Sequence, residues 1–239
     1  MIITFNGVAS TTAALGIASV IRVERPVVSG TRDRLLGVPS RRGAYHFTAD
    51  YTEAYIPVRL YFAAASATAK RACLRAIAAW LDTGGELATL VIDDESTKQY
   101  YARVVESVTP LEIVDRGWLD LTFIVPDGIA HSTVTKTASP NAGTLPAPVE
   151  VTATMTADAP GGMTIELVAT GEKVILDTAL VSGNEVVVDT ALRYVTLNGA
   201  DAMEYVDFSS EFFEVPVGEF EITSTDSTNT IVYRERWVG

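Results

Sequence analysis

His46 and His131 are the only imidazoles in the 239-residue chain, so a Ser-His-Asp arrangement would have to use one of them. No Gly-x-Ser-x-Gly elbow presents a serine. A lone histidine is more often a surface or hydrogen-bonded structural residue than a ligand or base, and neighbours of catalytic type are sparse around both, so each is read as structural. Asp93-Asp94-Glu95 is the densest acidic run. It lacks the D-x-[DN]-x-[DN]-G spacing of a calcium loop, and three successive acids at a strand end are read as a solvated turn. Cys73, the single cysteine, falls on an apolar stripe and is read as a small buried hydrophobe rather than a nucleophile. With one thiol there is neither an intrachain disulfide nor a cysteine-based zinc site. Neither GxxxxGK[ST] nor GxGxxG is present, so no nucleotide cofactor is indicated. Glycosidase-type carboxylate pairs can be drawn among the 16 acids of residues 138–239, but their abundance makes any one pair uninformative. Catalytic, cofactor-binding and metal-ligating residues are therefore assigned to none of these groups.

Sugar stacking is the remaining chemistry, because the C-terminal part carries Tyr194, Tyr205, Phe208, Phe212, Phe213, Tyr233 and Trp237. Aromatic platforms bind glycans, yet aromatics more commonly build cores. Phe208, Phe212 and Phe213 are expected to anchor a loop to a sandwich, and Trp237 to pin the last strand. Tyr205 and Trp237 are kept as candidate glycan or partner contacts.

The elements that must position these residues are mostly strands. In the first half, runs rich in Val, Ile, Tyr, Phe and Thr predict strands over 17–23, 54–62, 87–92, 100–108 and 117–125. Pro57 places the second of these at a sheet edge. One amphipathic helix is predicted over about residues 68–82. Ala69, Cys73, Ile77 and Trp80 or Leu81 form its apolar stripe, with Lys70, Arg71 and Arg75 away from it. Ser66 or Thr68 can cap its start, and Gly84-Gly85 can stop it. In the second half, strands are predicted over 149–155, 163–168, 173–176, 185–188, 194–197, 204–208, 220–223 and 230–235, at spacings typical of an all-β sandwich. Asn198-Gly199 is the strongest hairpin signal, since both residues tolerate the positive φ of a type I′ turn. No fixed-period repeat is present.

Residues 126–148 are rich in Pro, Gly, Ser, Thr and Ala, which marks a domain boundary. Charge changes at the same place. Residues 1–137 hold 14 Lys+Arg and 14 Asp+Glu, whereas residues 138–239 hold 4 and 16, so the net charge of -12 lies wholly in the second part. Such a surface repels phosphate backbones, so no nucleic-acid site is indicated. Two domains are expected, 1–137 and 138–239. The chain lacks about 18 consecutive apolar residues, and Met1 leads straight into Ile2-Ile3-Thr4-Phe5 without a basic n-region, so neither a membrane span nor a signal peptide is expected.

The order of segments resembles the phage distal tail proteins, the ring-shaped hubs of siphophage tails. The N-terminal resemblance is carried by Arg25-Pro26, Gly37-Val38-Pro39-Ser40-Arg41-Arg42-Gly43-Ala44-Tyr45, the helix end Ile77-Ala78-Ala79-Trp80-Leu81 with Leu87, the turn Asp93-Asp94-Glu95, Tyr100-Tyr101-Ala102-Arg103-Val104, and Leu121-Thr122-Phe123. The C-terminal part adds Asn141-Ala142-Gly143-Thr144, Pro148, Gly171-Glu172, Val188-Asp189-Thr190, Asn198-Gly199, Glu211-Phe212-Phe213, Pro216-Val217-Gly218 and Tyr233-Arg234-Glu235-Arg236-Trp237. Two departures are Ser40, where family members often carry Gly before the basic pair, and Pro126-Asp127, where they often carry Asp-Pro.

The resemblance implies a mainly β chain: an N-terminal tail-tube-like β domain with one helix, and a C-terminal galectin-like β-sandwich. It implies a non-enzymatic structural virion protein at the tail tip, assembled in the host bacterial cytoplasm and joining tail tube to baseplate or adsorption apparatus. Its partners would be copies of itself in a ring, usually a hexamer, together with the tail tube protein, the tail hub or tail-associated protein and receptor-binding proteins. DNA would pass through the ring without a dedicated site, and no cofactor or membrane is implied. The charge pattern is compatible, because a neutral domain tiles readily with itself and a strongly acidic one belongs on the periphery. The alternative is a carbohydrate-binding module or receptor-binding tail component.

Overall fold

The computed structural model describes residues 1–28, 30–40, 42–105 and 108–238, so Arg41 of the basic pair and residues 106 and 107 of the strand expected over 100–108 lie outside the described residues. Two units emerge: Met1–His131 with Val238, and Ser132–Trp237.

The first unit contains β1 (Ile3–Phe5), β2 (Val8–Ala9), β3 (Ile17–Val23), β4 (Thr31–Gly37), β5 (Ala44–Tyr51), β6 (Ala54–Ala63), α1 (Ala67–Leu81), β7 (Ala88–Ile92), β8 (Lys98–Val105), β9 (Pro110–Ile113), β10 (Arg116–Val125) and β11 (Ile129–Ser132). Its main sheet runs β2-β1-β7-β8-β10-β6-β3, with β9 also on β10. Period-two alternation along β6 buries Ala54, Ile56, Val58, Leu60 and Phe62, and the register sets Ile56 opposite Phe123, Val58 opposite Leu121 and Leu60 opposite Leu119 of β10. Each buried Ile, Val, Leu or Phe side chain of this set contributes about 1.5–3 kcal/mol. A one-residue slip would turn the whole set outward, so burial fixes the register.

Pro57 does not put β6 at an edge; the strand lies between β10 and β3. The Pro57 carbonyl accepts from the Glu24 N–H at 3.0 Å, just beyond Val23, the last paired residue of β3. A strand residue's nitrogen and carbonyl point to the same side, so the missing N–H falls where the β3 ladder has ended and the β10 side loses nothing.

Helix α1 buries Ile77 and Trp80. Ser66 caps it by accepting from the Ala69 N–H at 3.2 Å, and Gly84 and Gly85 follow with φ of 65° and 94°. Trp80 Nε1 donates to the Phe5 carbonyl at 3.0 Å, and the Phe5 ring stands 5.0 Å from Phe123, which joins helix to sheet. Lys70 departs from its expected outward position, being buried. Its stem lies along the protein while Nζ reaches the Val114 carbonyl and the Glu112 carboxylate, each at 2.7 Å.

The second unit contains β12 (Ala147–Met155), β13 (Met163–Leu167), β14 (Lys173–Leu176), β15 (Glu185–Asp189), β16 (Tyr194–Leu197), β17 (Ala200–Asp201), β18 (Glu214–Val215), β19 (Ile222–Ser224) and β20 (Ser227–Tyr233). One sheet runs β17-β16-β15-β12-β18, with β20 also on β12, and another runs β14-β13-β19. Their shared core includes Val149, Val151, Met155, Ile165, Leu167, Val186, Val188 and Phe213. Asn198 and Gly199 take φ of 52° and 78°, and Leu197 pairs with Ala200, so the two-residue turn forms as its residues demand. The expected strand over 204–208 is instead the 3-10 turn Met203–Tyr205 followed by irregular chain. Within the Pro/Gly-rich stretch, Asn141 is buried. Its Oδ1 accepts from the Gly143 N–H at 3.0 Å, and the Tyr233 hydroxyl donates to the Ala138 carbonyl at 2.9 Å.

Candidate functional site

Among the described residues, the histidines and the cysteine are dispersed and engaged by neighbours. His131 is buried, with Nε2 2.7 Å from Asp127 Oδ2 and its ring centroid 4.9 Å from that of Tyr101, which is a structural setting. His46 is exposed on β5, 3.5 Å from Asp33. Cys73 is half-buried on α1, where a Cβ added at Gly16 would come within 2.5 Å of its sulfur. Among the described residues no group of three or more His, Cys, Asp or Glu side chains is placed to hold a metal ion.

The surface with the strongest unmet physical demand is the hairpin of β4 and β5. Thr, Tyr and Phe favour extended chain here, and Ser40 and Gly43, with φ of 66° and 81°, turn it back on itself. Every residue of both strands is exposed, and each strand pairs only with the other among the described residues. Leu36 pairs with Tyr45 and Leu35 with His46, and a bulge follows. Leu35 and Phe47 are 62% and 64% exposed, and Val27 at the root is 89% exposed. An isolated two-stranded hairpin is marginal in water, and open strand edges bearing large apolar residues are pairing templates. Sequence reading missed these strands although Tyr45, Phe47 and Tyr51 recur at every second position along β5; on β4 the adjacent Leu35 and Leu36 break that rhythm.

The root of the hairpin is tied down. Thr52 N–H donates to the Gly30 carbonyl at 2.8 Å. Arg25 Nη1 donates to Glu95 Oε2 at 2.7 Å, and its other terminal nitrogen contacts Asp94. Lys98 Nζ adds a bond to Glu95 Oε1 at 3.0 Å. The hydrogen bond from Lys98, joined by the charge of Arg25, holds the Glu95 carboxyl below the usual carboxylate range. The acidic run thus forms the expected solvated turn and also anchors Arg25, a role its sequence does not announce.

On the outer face of β6 and β10, Tyr61 and Trp118 pair across the strands with ring centroids 5.9 Å apart. Beside them Arg59 grips Asp120 through two hydrogen bonds of 2.6 and 2.8 Å.

The two candidate contact residues stand on separate segments. Tyr205 lies partly exposed on the Met203–Tyr205 turn, where hydrogen bonding to the Glu204 carboxylate pushes its hydroxyl pKa up. Trp237 is half-buried on the terminal strand Arg236–Val238. Phe213 is buried and Phe212 packs against the core, as expected of a loop anchor, but Phe208 is fully exposed. The turn begun by Asp207 aims its ring outward.

Residues 142–237 match the family model described as siphovirus-type tail component, C-terminal domain, and residues 11–125 match that described as phage tail protein RIFT-related domain. No curated protein matches. Among solved structures, the Dit protein of phage SPP1, presented as a paradigm of hub adsorption apparatus in phages infecting Gram-positive bacteria, is similar with a TM-score of 0.84 at 14% identity over 99% of each chain. A chain of the phage p2 baseplate in its activated conformation with strontium is similar with a TM-score of 0.52 at 9% identity, covering 90% of this chain and 89% of that one. The calcium form gives 0.51 at 8% identity over 91% of each. The two family models between them span both units, and the chain belongs to the siphovirus-type phage tail components, as its order of segments led one to expect.

Proposed function

We propose that this tail component is a structural, non-catalytic hub that closes into a ring of six copies between tail tube and adsorption apparatus. The observation that carries the reading is the β4–β5 hairpin, whose two open edges and exposed Leu35, Leu36, Tyr45 and Phe47 need a cover that its own unit does not give. A neighbouring copy supplies one. Hairpin edges that pair from copy to copy extend one sheet, and rotation closes such heterologous contacts into a ring with no edge left over. Residues 1–137, with equal numbers of basic and acidic side chains, face no net repulsion in that contact, while residues 138–239, with 4 basic and 16 acidic residues, stay out of it. Tube protein, tail-associated protein and receptor-binding proteins are the partners this role entails. The test is native mass spectrometry with negative-stain images of the purified full chain. Hexamers with a central hole are expected, and monomer at every accessible concentration would overturn the reading.

A further inference from the structure

Phe208 is 108% exposed, an extreme for a side chain with so much apolar surface. The backbone that carries it is nevertheless stitched down on both sides. Asp207 N–H donates to the Ile175 carbonyl at 3.0 Å, and Ser210 N–H donates to the Asp207 carbonyl at 2.9 Å. Ser209 N–H donates to Asp207 Oδ1 at 2.7 Å, and Ser210 Oγ accepts from the Ile175 N–H at 2.9 Å. The ring is therefore presented by a closed turn fixed to β14. Around it the Asp177 N–H bonds the Tyr205 carbonyl and the Glu211 N–H bonds the Lys173 carbonyl, so the segments flanking the turn carry Asp177, Glu204 and Glu211 besides its own Asp207, with Lys173 as the opposing charge.

We propose that the Phe208 turn is a docking knob for a different tail protein, one that offers an apolar pocket rimmed by lysine and arginine. A projecting ring fits a hole, and an aromatic anchor buried at the centre of a contact supplies most of its energy. The acidic surround selects the rim of the hole, because like charges set against each other reject a partner and opposite charges steer it in. That argues against a second copy of this acidic domain as the occupant.

The inference rests on the chain being a tail component built into particles, and the experiment separates the two. Phage particles are assembled with p-benzoylphenylalanine incorporated at position 208 and irradiated, and particles carrying Phe208→Ser or Phe208→Leu are compared by mass spectrometry. The expected result is a cross-link to one other tail protein with a basic surface. That same protein should be depleted at least about tenfold from Phe208→Ser particles and retained in Phe208→Leu particles. If the chain is missing from wild-type particles, the hub reading itself fails. If it is present but cross-links only to itself, or if Phe208→Ser particles have full composition, the knob is overturned while the ring stands. Full composition with lost binding to purified host-wall polysaccharide would make Phe208 a glycan contact, which also overturns the proposal.

Discussion

Arg25 and Glu95 meet at 2.7 Å, and the bond ties the segment entering β4 to the turn after β7. Both carboxylates that hold Arg25 are partly exposed, so the ion pair contributes no more than about 1 kcal/mol to global stability. Its effect is local. Arg25→Ala should leave the melting temperature nearly unchanged while the amides of Val27, Val28, Gly30 and Thr31 exchange faster with solvent. Equal exchange in both proteins would show that the tie does not hold the hairpin root.

Acid should release the same tie. Hydrogen bonding from Lys98, then the charge of Arg25, lowers the Glu95 pKa in the folded chain. A carboxyl with a depressed folded pKa contributes stability that is complete above its unfolded value of about 4.3 and is lost as pH falls through the folded value. Asp94, Lys98 and Tyr100 face the same junction. Wild type should therefore melt above Glu95→Gln at pH 7, and the gap should shrink on titration below about pH 4.3. A constant gap down to pH 3 would exclude Glu95 as its source.

Ile77 is 2% exposed beneath α1. Truncation to alanine removes three carbons from a packed site and leaves a cavity, so Ile77→Ala should destabilise the first unit by roughly 2–4 kcal/mol. Thermal or urea unfolding of the full chain reads this out, and an unchanged transition would mean that this face of the helix is not core.

Elements with one buried face were the legible ones. Ala54, Ile56, Val58, Leu60 and Phe62 alternate with polar or exposed neighbours, and the helix shows Ile77 and Trp80 one turn apart, so sequence periodicity and observed burial agree. In residues 31–51 the period is partial: Tyr45, Phe47 and Tyr51 alternate along β5, but Leu35 and Leu36 are adjacent on β4, and both faces of the hairpin are exposed in the single chain, so burial there gives no check on the pattern. Lys70 misled for a related reason. A side chain whose stem can be buried while its ammonium finds Glu112 does not report the solvent face of a helix. Proximity along the chain groups Phe208 with Phe212 and Phe213, but the Asp207 to Ser210 turn that carries it sends it the other way. Local hydrogen bonding of Asp and Ser decides that direction, and hydrophobicity does not report it.

Phe47→Asp is the sharpest test of the hairpin. The side chain is 64% exposed, and exposed substitutions away from special backbone usually change stability by no more than about 0.5 kcal/mol, so the monomer should melt as before. In a ring the same position is covered by a neighbour, and a carboxylate would have to be buried there without a partner, at a cost of several kcal/mol. Because the ring is cyclic, that cost recurs at every junction and no arrangement of subunits avoids it. Native mass spectrometry should find folded monomer where wild type gives the ring, with Asp158→Asn on the acidic unit as a charge-changing control that leaves the ring intact. Rings of undiminished stability from Phe47→Asp would mean that the copies meet elsewhere, and the outer face bearing Tyr61 and Trp118 would become the next surface to test.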